Sequence, residues 1–246
     1  MLVQRVASCI RRGTRAFSSV VVDTVGPVTT LMLASGPRNQ LTEEVLTELE
    51  TAVATLSQSE SCRVLVLRGR GGHLTAGGDM AMLSNVPPLP ADPQEADPLG
   101  IQFRRFGSLF MRLTELPQAV VTCVDGVSIG GGLGLMCASD VVLATSRSRF
   151  GLPEVRAGFV PAQPMPFVVR RIGASHATRL AVSGALVSAD DAQRMGLVHV
   201  VCEKGSSLED ALNDEIASIL RASPSAIQAV KASLCLLYTS PSPRDS

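Results

Sequence analysis

Gly126-Val127-Ser128-Ile129-Gly130-Gly131-Gly132-Leu133-Gly134 follows an apolar run at residues 119–124 and leads into a segment of helical character. A second turn of the same kind, Thr75-Ala76-Gly77-Gly78-Asp79-Met80, follows the apolar run 63–68 (RVLVLR). Glycines let a backbone approach a ligand closely and adopt conformations that side chains forbid. A strand-to-helix turn also leaves free N–H groups pointing outward at the positive end of a helix dipole. Two such turns converging on one point make a two-donor oxyanion hole, the device that stabilises enolates and tetrahedral intermediates.

Outward from these turns the chain alternates strands and helices. Residues 19–25 and 28–34 read as two strands joined at Gly26-Pro27, a hairpin signal. Thr42 is placed to cap a helix whose first turn carries Glu43 and Glu44, and Val45, Leu49, Val53 and Leu56 then recur at helical spacing. Residues 85–100, rich in Pro, Asp and Ala, read as a surface loop or lid. An amphipathic helix is expected over 101–116, a strand over 119–124, a helix over 133–138 and a strand over 141–144. After Gly158 the character turns helical, over 167–172, 176–183, 189–195 and 208–221. Two rounds of strand, glycine turn and helix predict one α/β domain with a helical C-terminal part.

Bulk composition narrows the function classes. The 246 residues are 46% hydrophobic, enough for a packed core, and the formal net charge is zero. Nothing therefore suggests nucleic-acid binding driven by electrostatics. Aromatics make up 3% and Trp is absent, which argues against stacking platforms for bases. No apolar run approaches the length of a membrane span. Six cysteines are scattered without a CxxC pair and read as small buried hydrophobes in a reducing compartment. His73, His176 and His199 stand too far apart to argue for a metal site or a catalytic triad, and no metal or redox cofactor is expected.

Both ends are read as lying outside the fold. The first 22 residues hold Arg5, Arg11, Arg12 and Arg15 with no acid before Asp23, the composition of a mitochondrial transit peptide. Arg15-Ala16-Phe17-Ser18-Ser19 resembles a processing site, which assigns 1–17 to the leader, begins the domain at Ser18 and sends the mature protein to the mitochondrial matrix. At the other end, residues 235–245 break the preceding helical pattern and match, residue for residue, the translation of a common sequencing-library adapter. Residues 235–246 are therefore expected to be a non-native tail on a truncated chain, leaving 18–234 as the domain, its spiral core ending near residue 160.

Four stretches in order carry a resemblance to the enoyl-CoA hydratase/isomerase (crotonase) superfamily: AGGD at 76–79, DGVSIGGGLGL at 125–135, FGLPEVRAGFVPA at 150–162 and SGALVSADDAQRMGLVHVV at 183–201. The likeness runs from about Val20 to about Leu234. It implies an α/β fold, a spiral of ββα turns with a helical C-terminal trimerisation region, and assembly as a homotrimer or hexamer. It implies an acyl-CoA thioester as substrate, with coenzyme A entering only as part of it. By the family's motifs the two oxyanion donors fall on Gly78 and Gly131, and a catalytic carboxylate on Glu154. Ala76, Asp79, Met80, Gly130 and Pro153 are expected to contact substrate, and Arg38 to approach the CoA phosphates. Each has a plainer reading: Asp79 braces its turn, Met80 packs in the core, Arg38 is solvated, and Glu154 sits in a surface salt bridge. Its place between apolar residues favours instead a partly buried acid with a raised pKa.

Hydratases of this superfamily with two bases carry a first Glu shortly after the GGG turn, where this chain has Gly134. With Glu154 as sole carboxylate, two mechanisms stay open: hydration of a 2-enoyl-CoA, or Δ3,Δ2 isomerisation by one base moving a proton between α and γ carbons. The stretch 158–173 resembles hydratases of the methylglutaconyl-CoA type, which points to a hydratase of short or branched acyl chains, in fatty-acid or branched-chain amino acid breakdown. A non-catalytic acyl-CoA binder is the third reading.

Overall fold

Six apolar segments build the larger of two sheets in the computed structural model of the chain, which describes residues 19–78, 98–203 and 205–239. Residues 1–17, read from the sequence as a leader, Asp79 and Met80, most of the 85–100 stretch and residues 240–246 lie outside the described residues. Strands β1 (Val20–Val25) and β2 (Val28–Leu33) form an antiparallel hairpin through Gly26-Pro27. Strands β3 (Val64–Gly69), β4 (Ala119–Val124), β6 (Val141–Thr145) and β9 (Val200–Cys202) extend it in parallel, in the order β1-β2-β3-β4-β6-β9. Every residue of β4 is buried, as a parallel strand covered on both faces requires, and its sequence is accordingly apolar but for Thr122, whose hydroxyl is hydrogen-bonded to Ser139 Oγ.

The smaller sheet consists of β5 (Val127–Ile129), β7 (Arg149–Gly151) and β8 (Leu186–Ser188), with β5 parallel to β7 and β8 antiparallel to it. The chain steps from the large sheet to the small one twice, at β4–β5 and at β6–β7, and a helix follows each step. That repetition is the ββα spiral.

Helix α1 (Glu43–Ser57) starts at Thr42, whose Oγ1 accepts the Val45 N–H at 3.3 Å. Helices α2 (Pro98–Glu115), α3 (Gly131–Cys137) and α4 (Met165–Ser183) follow, with a 3₁₀ turn at Pro153–Ala157 before α4. Helices α5 (Ala189–Arg194), α6 (Gly205–Arg221) and α7 (Pro224–Thr239) complete the described chain.

Two apolar layers flank the large sheet. On one face Leu31, Leu65 and Val120 pack with Leu46 and Leu49 of α1, Phe110 of α2 and Leu133 of α3. On the other, Val66, Val121 and Leu143 meet Leu208, Leu212 and Ile216 of α6. Each such side chain contributes about 1.5–3 kcal/mol when fully buried. Polar ties fix the helix ends: Arg171 Nη2 donates to the carbonyl of Ser139 just past α3. Lys231 of α7, only 8% exposed, donates from Nζ to the Gln118 carbonyl at 2.8 Å and to Asp140 Oδ2 at 2.7 Å. Cys62, Cys123, Cys137 and Cys202 are free and buried, and burial pushes the Cys123 and Cys137 thiols up to about 12.

The sequence reading differs from the structure in three places. The helices expected over 167–172 and 176–183 are one element interrupted at Gly173, whose φ of 73° breaks the helical path. The three-residue strands β5, β7, β8 and β9 were not expected, since so short a segment carries no periodicity of its own. Helix α7 runs on to Thr239 across the segment read as breaking the pattern, because no proline occurs there before Pro241.

His199 gives a pH handle on this fold. Its Nδ1 accepts the Val142 N–H at 2.9 Å, and burial, helped by the nearby Arg171 charge, holds it below the usual 6.5. Below about pH 6.5 the unfolded chain binds a proton that the folded chain refuses, so stability falls as the pH drops through that window. Melting curves between pH 8 and pH 5 are expected to show a smaller loss for His199→Gln than for the wild type.

Candidate active site

The two glycine turns lie side by side because β5 pairs with the residues that lead into the first of them. Thr75 and Ser128 form a parallel bridge, flanked by Leu74 N–H to Val127 carbonyl at 3.0 Å and Ile129 N–H to Thr75 carbonyl at 3.2 Å. On its other edge β5 pairs with β7, and the Gly130 N–H donates to the Gly151 carbonyl at 3.0 Å. Three residues past Gly151, in the 3₁₀ turn that Pro153 opens, stands Glu154. One three-residue strand therefore sets the relative positions of Gly77-Gly78, Gly130-Gly131 and Glu154.

Gly130 is where the three pieces meet. Its φ of 56° lies in the left-handed region, and a Cβ there would stand 2.9 Å from Glu154 Oε1 and 3.8 Å from the Gly77 Cα. Glycine meets both demands at once. Past it, α3 starts at Gly131, whose N–H, like that of Gly78, finds no hydrogen-bond acceptor among the described residues. A Cβ on Gly78 would meet nothing within 4 Å. The first turn is held from below by Gly77 N–H to Thr75 Oγ1 at 3.0 Å. From the side, the Ala76 N–H donates to the Arg38 carbonyl at 2.9 Å, and the Gly77 carbonyl accepts from Leu41 N–H at 3.0 Å.

Glu154 is half-buried and makes no ion pair among the described residues. Its Oε2 is buried without a hydrogen-bond partner, and desolvation raises its pKa above the ordinary 4.5. An oxygen in that condition is disposed to take a proton. Arg38 reaches the site through its backbone carbonyl, while its side chain is exposed. Pro153 precedes Glu154 at the start of the 3₁₀ turn, and Ala76 precedes Gly77. Asp79 and Met80 lie outside the described residues.

Gly134 is enclosed. It is the fourth residue of α3, and a Cβ there would lie 2.4 Å from Cε2 and 2.7 Å from Cζ of Phe110. That ring is fully buried and stands edge-on to Phe167, with centroids 5.4 Å apart. No side chain fits at position 134 while Phe110 stays where it is. The space a carboxylate at 134 would occupy is aromatic. The sequence reading found the missing acid but not its replacement, which lies 24 residues earlier on α2 and becomes visible only in three dimensions.

A sequence profile described as enoyl-CoA hydratase/isomerase matches residues 27–244. The 2,3-dehydroadipyl-CoA hydratase of Escherichia coli K12 is 32% identical over 199 residues, spanning 80% of this chain and 73% of that protein. Among solved structures, an enoyl-CoA hydratase/isomerase from Marinobacter aquaeolei superposes with a TM-score of 0.85 at 33% identity, covering 92% of this chain and 86% of that one. AtuE of Pseudomonas aeruginosa superposes with a TM-score of 0.84 at 36% identity, with the same coverage of both chains.

The Glu154 environment makes a prediction about stability. A carboxyl whose pKa is raised on folding contributes stability that is present below about 4.5 and lost as the pH climbs through its folded value. Glu154→Gln, which keeps the shape and drops the charge, is expected to melt higher than the wild type at pH 7. At pH 4 the two should melt together.

Proposed function

Because the chain belongs to the enoyl-CoA hydratase/isomerase family, we propose that it adds water to a short or branched 2-enoyl-CoA with Glu154 as its one proton carrier. The observation that carries this reading is the Glu154 carboxylate, one oxygen buried and unpartnered, packed against the turn that presents the Gly131 N–H, which has no acceptor among the described residues. In the proposed reaction the thioester oxygen lies between the N–H groups of Gly78 and Gly131. A water oxygen bonds to the β carbon while Glu154 takes one of its protons, and the electron pair of the double bond moves through the α carbon onto the thioester oxygen. The two N–H donors hold that enolate charge. Glu154 then returns the proton to the α carbon and the thioester carbonyl re-forms, so the product is substrate plus one water. Arg38, exposed beside the first turn, is proposed to meet the CoA phosphates, and Ala76, Asp79, Met80, Gly130 and Pro153 to border the substrate.

The aromatic wall at Gly134 favours a second reading. With Phe110 packed where a side chain at 134 would stand, position 134 offers no polar group to hold a water. A lone carboxylate suits an isomerase, in which Glu154 takes a proton from the α carbon of a 3-enoyl thioester and gives it to the γ carbon. The hydratase relative supports the first reading, and this geometry supports the second. Retention of the unpaired carboxylate speaks against a non-catalytic binder.

Two further proposals attach to this one. The arginine-rich, acid-free leader supports delivery to the mitochondrial matrix. Assembly as a homotrimer or hexamer is supported by Val155, Val160, Val182 and Leu186, apolar side chains exposed on or near the segments that carry Glu154 and β8. Sedimentation velocity is expected to give a mass near three or six chains, and a monomer at micromolar concentration would overturn that assembly.

Crotonyl-CoA, 3-methylglutaconyl-CoA and trans-3-hexenoyl-CoA separate the activities. A mass gain of one water on either conjugated substrate marks the hydratase, and the preferred one names the acyl class. New 2-enoyl absorbance from the 3-enoyl substrate without a change in mass marks the isomerase. Under either, Glu154→Gln is expected to lose about 10²–10⁴-fold in kcat. A loss smaller than about tenfold removes Glu154 from the mechanism, since general-base losses exceed that.

A further inference from the structure

Asn39 is the one non-glycine residue with positive φ among the described residues, at 51°, and it is fully buried. A left-handed conformation at a residue with a side chain costs free energy and persists where the surroundings over-determine it. Here the surroundings are two carbonyls. Asn39 Nδ2 donates to the Arg70 carbonyl at 3.0 Å and to the His73 carbonyl at 2.7 Å, while its Oδ1 is left buried without a partner. The residue is therefore held there for its N–H donors. The approach is close enough to require glycine opposite: a Cβ on Gly69 would lie 1.6 Å from the His73 carbonyl oxygen and 2.6 Å from Asn39 Nδ2.

His73 carries the connection onward. Its Nδ1 accepts the N–H of Val127, the first residue of β5, at 3.0 Å. The imidazole lies so near this turn that a Cβ on Gly126 would come within 2.5 Å of Nδ1. From Asn39 the connections run both ways. On one side its neighbours Arg38 and Leu41 grip the first glycine turn at Ala76 N–H and the Gly77 carbonyl. On the other, His73 grips the strand that ends at Gly130-Gly131. The two backbone donors are tied to each other through Asn39 and His73, whose side-chain hydrogen bonds go to the backbone of Arg70, His73 and Val127 and not to Gly78 or Gly131.

We propose that Asn39 and His73 are positioning residues, a brace that sets the separation of the Gly78 and Gly131 N–H groups. This rests on the reading of those two groups as the oxyanion donors. Such donors act by being fixed where charge develops, and a misplacement of about 1 Å costs about 10²-fold in rate. A residue that merely stabilised the fold would lower the melting temperature and leave the folded protein's oxyanion site intact.

Acetoacetyl-CoA distinguishes the two cases, because its enolate absorbs in the near ultraviolet and its keto form does not. Wild type is expected to bind it as the enolate. Asn39→Gly keeps the left-handed backbone and removes the donors, and Asn39→Asp keeps the shape and sets a carboxylate against two carbonyls. In the folded fraction, verified by circular dichroism, both are expected to lose the enolate band and to lose roughly 10–100-fold in kcat with little change in KM. His73→Leu is expected to do the same. His73→Asn, which keeps an acceptor near the Nδ1 position, is expected to retain the band. If the Asn39 variants do not fold, the His73 pair decides. An enolate band of wild-type strength in folded Asn39→Gly or His73→Leu overturns the brace alone. A wild type that binds acetoacetyl-CoA without the band overturns the oxyanion reading and the brace with it.

Discussion

The pairing of β5, three residues long, is the constraint on which the site depends. Its one edge takes the backbone of Leu74 and Thr75 and its other edge takes β7. Main-chain hydrogen bonds fix distance and direction together, and a strand gripped on both edges has little freedom left. The first glycine turn, the second glycine turn and the 3₁₀ turn with Glu154 all project from residues within a step or two of that ladder. The large sheet serves this arrangement by delivering β4 and β6 to the point where the chain steps across. The two apolar layers hold that sheet.

Glu154 shows how a fold dominated by burial makes a reactive group. The carboxylates that sit at the joins of the fold have cationic partners: Glu50 meets Arg105, Glu209 meets Arg68, Asp125 meets Arg147 and Asp140 meets Lys231. Those pairs do structural work, joining α1 to α2, β3 to α6, and turn to turn. Glu154 stands apart from them, desolvated and without a cation among the described residues. A paired carboxylate holds its charge, whereas an unpaired one in an apolar place is ready to give it up.

Much of this was legible in the residues. The hairpin at Gly26-Pro27, the Thr42 cap and the apolar runs that became β3 and β4 follow local rules, and local rules are written in consecutive residues. The two glycine turns and Glu154 were legible as motifs. What was not legible was contact across the chain. Nothing near Asn39 in sequence says that it will adopt positive φ, because the two carbonyls that impose it belong to Arg70 and His73. His73 likewise gave no sign of its role, since a histidine accepting one backbone N–H is defined by a partner 54 residues away. The short strands β5, β7 and β8 were hidden for the same reason: three residues become a strand through what lies beside them.

The contact between Gly134 and Phe110 also bears on how such a site changes over generations. Placing an acid at 134 first would drive it into the ring, whose carbon lies 2.4 Å from where the new Cβ would stand. Shrinking Phe110 first would open a void in the core, at a cost of about 3–5 kcal/mol for a change as large as Phe to Ala, a large share of the stability of an ordinary domain. Neither single step is neutral, so the two positions are locked to each other. A lineage that holds glycine at one and phenylalanine at the other is kept on its side of the divide by packing alone, without any selection on the chemistry.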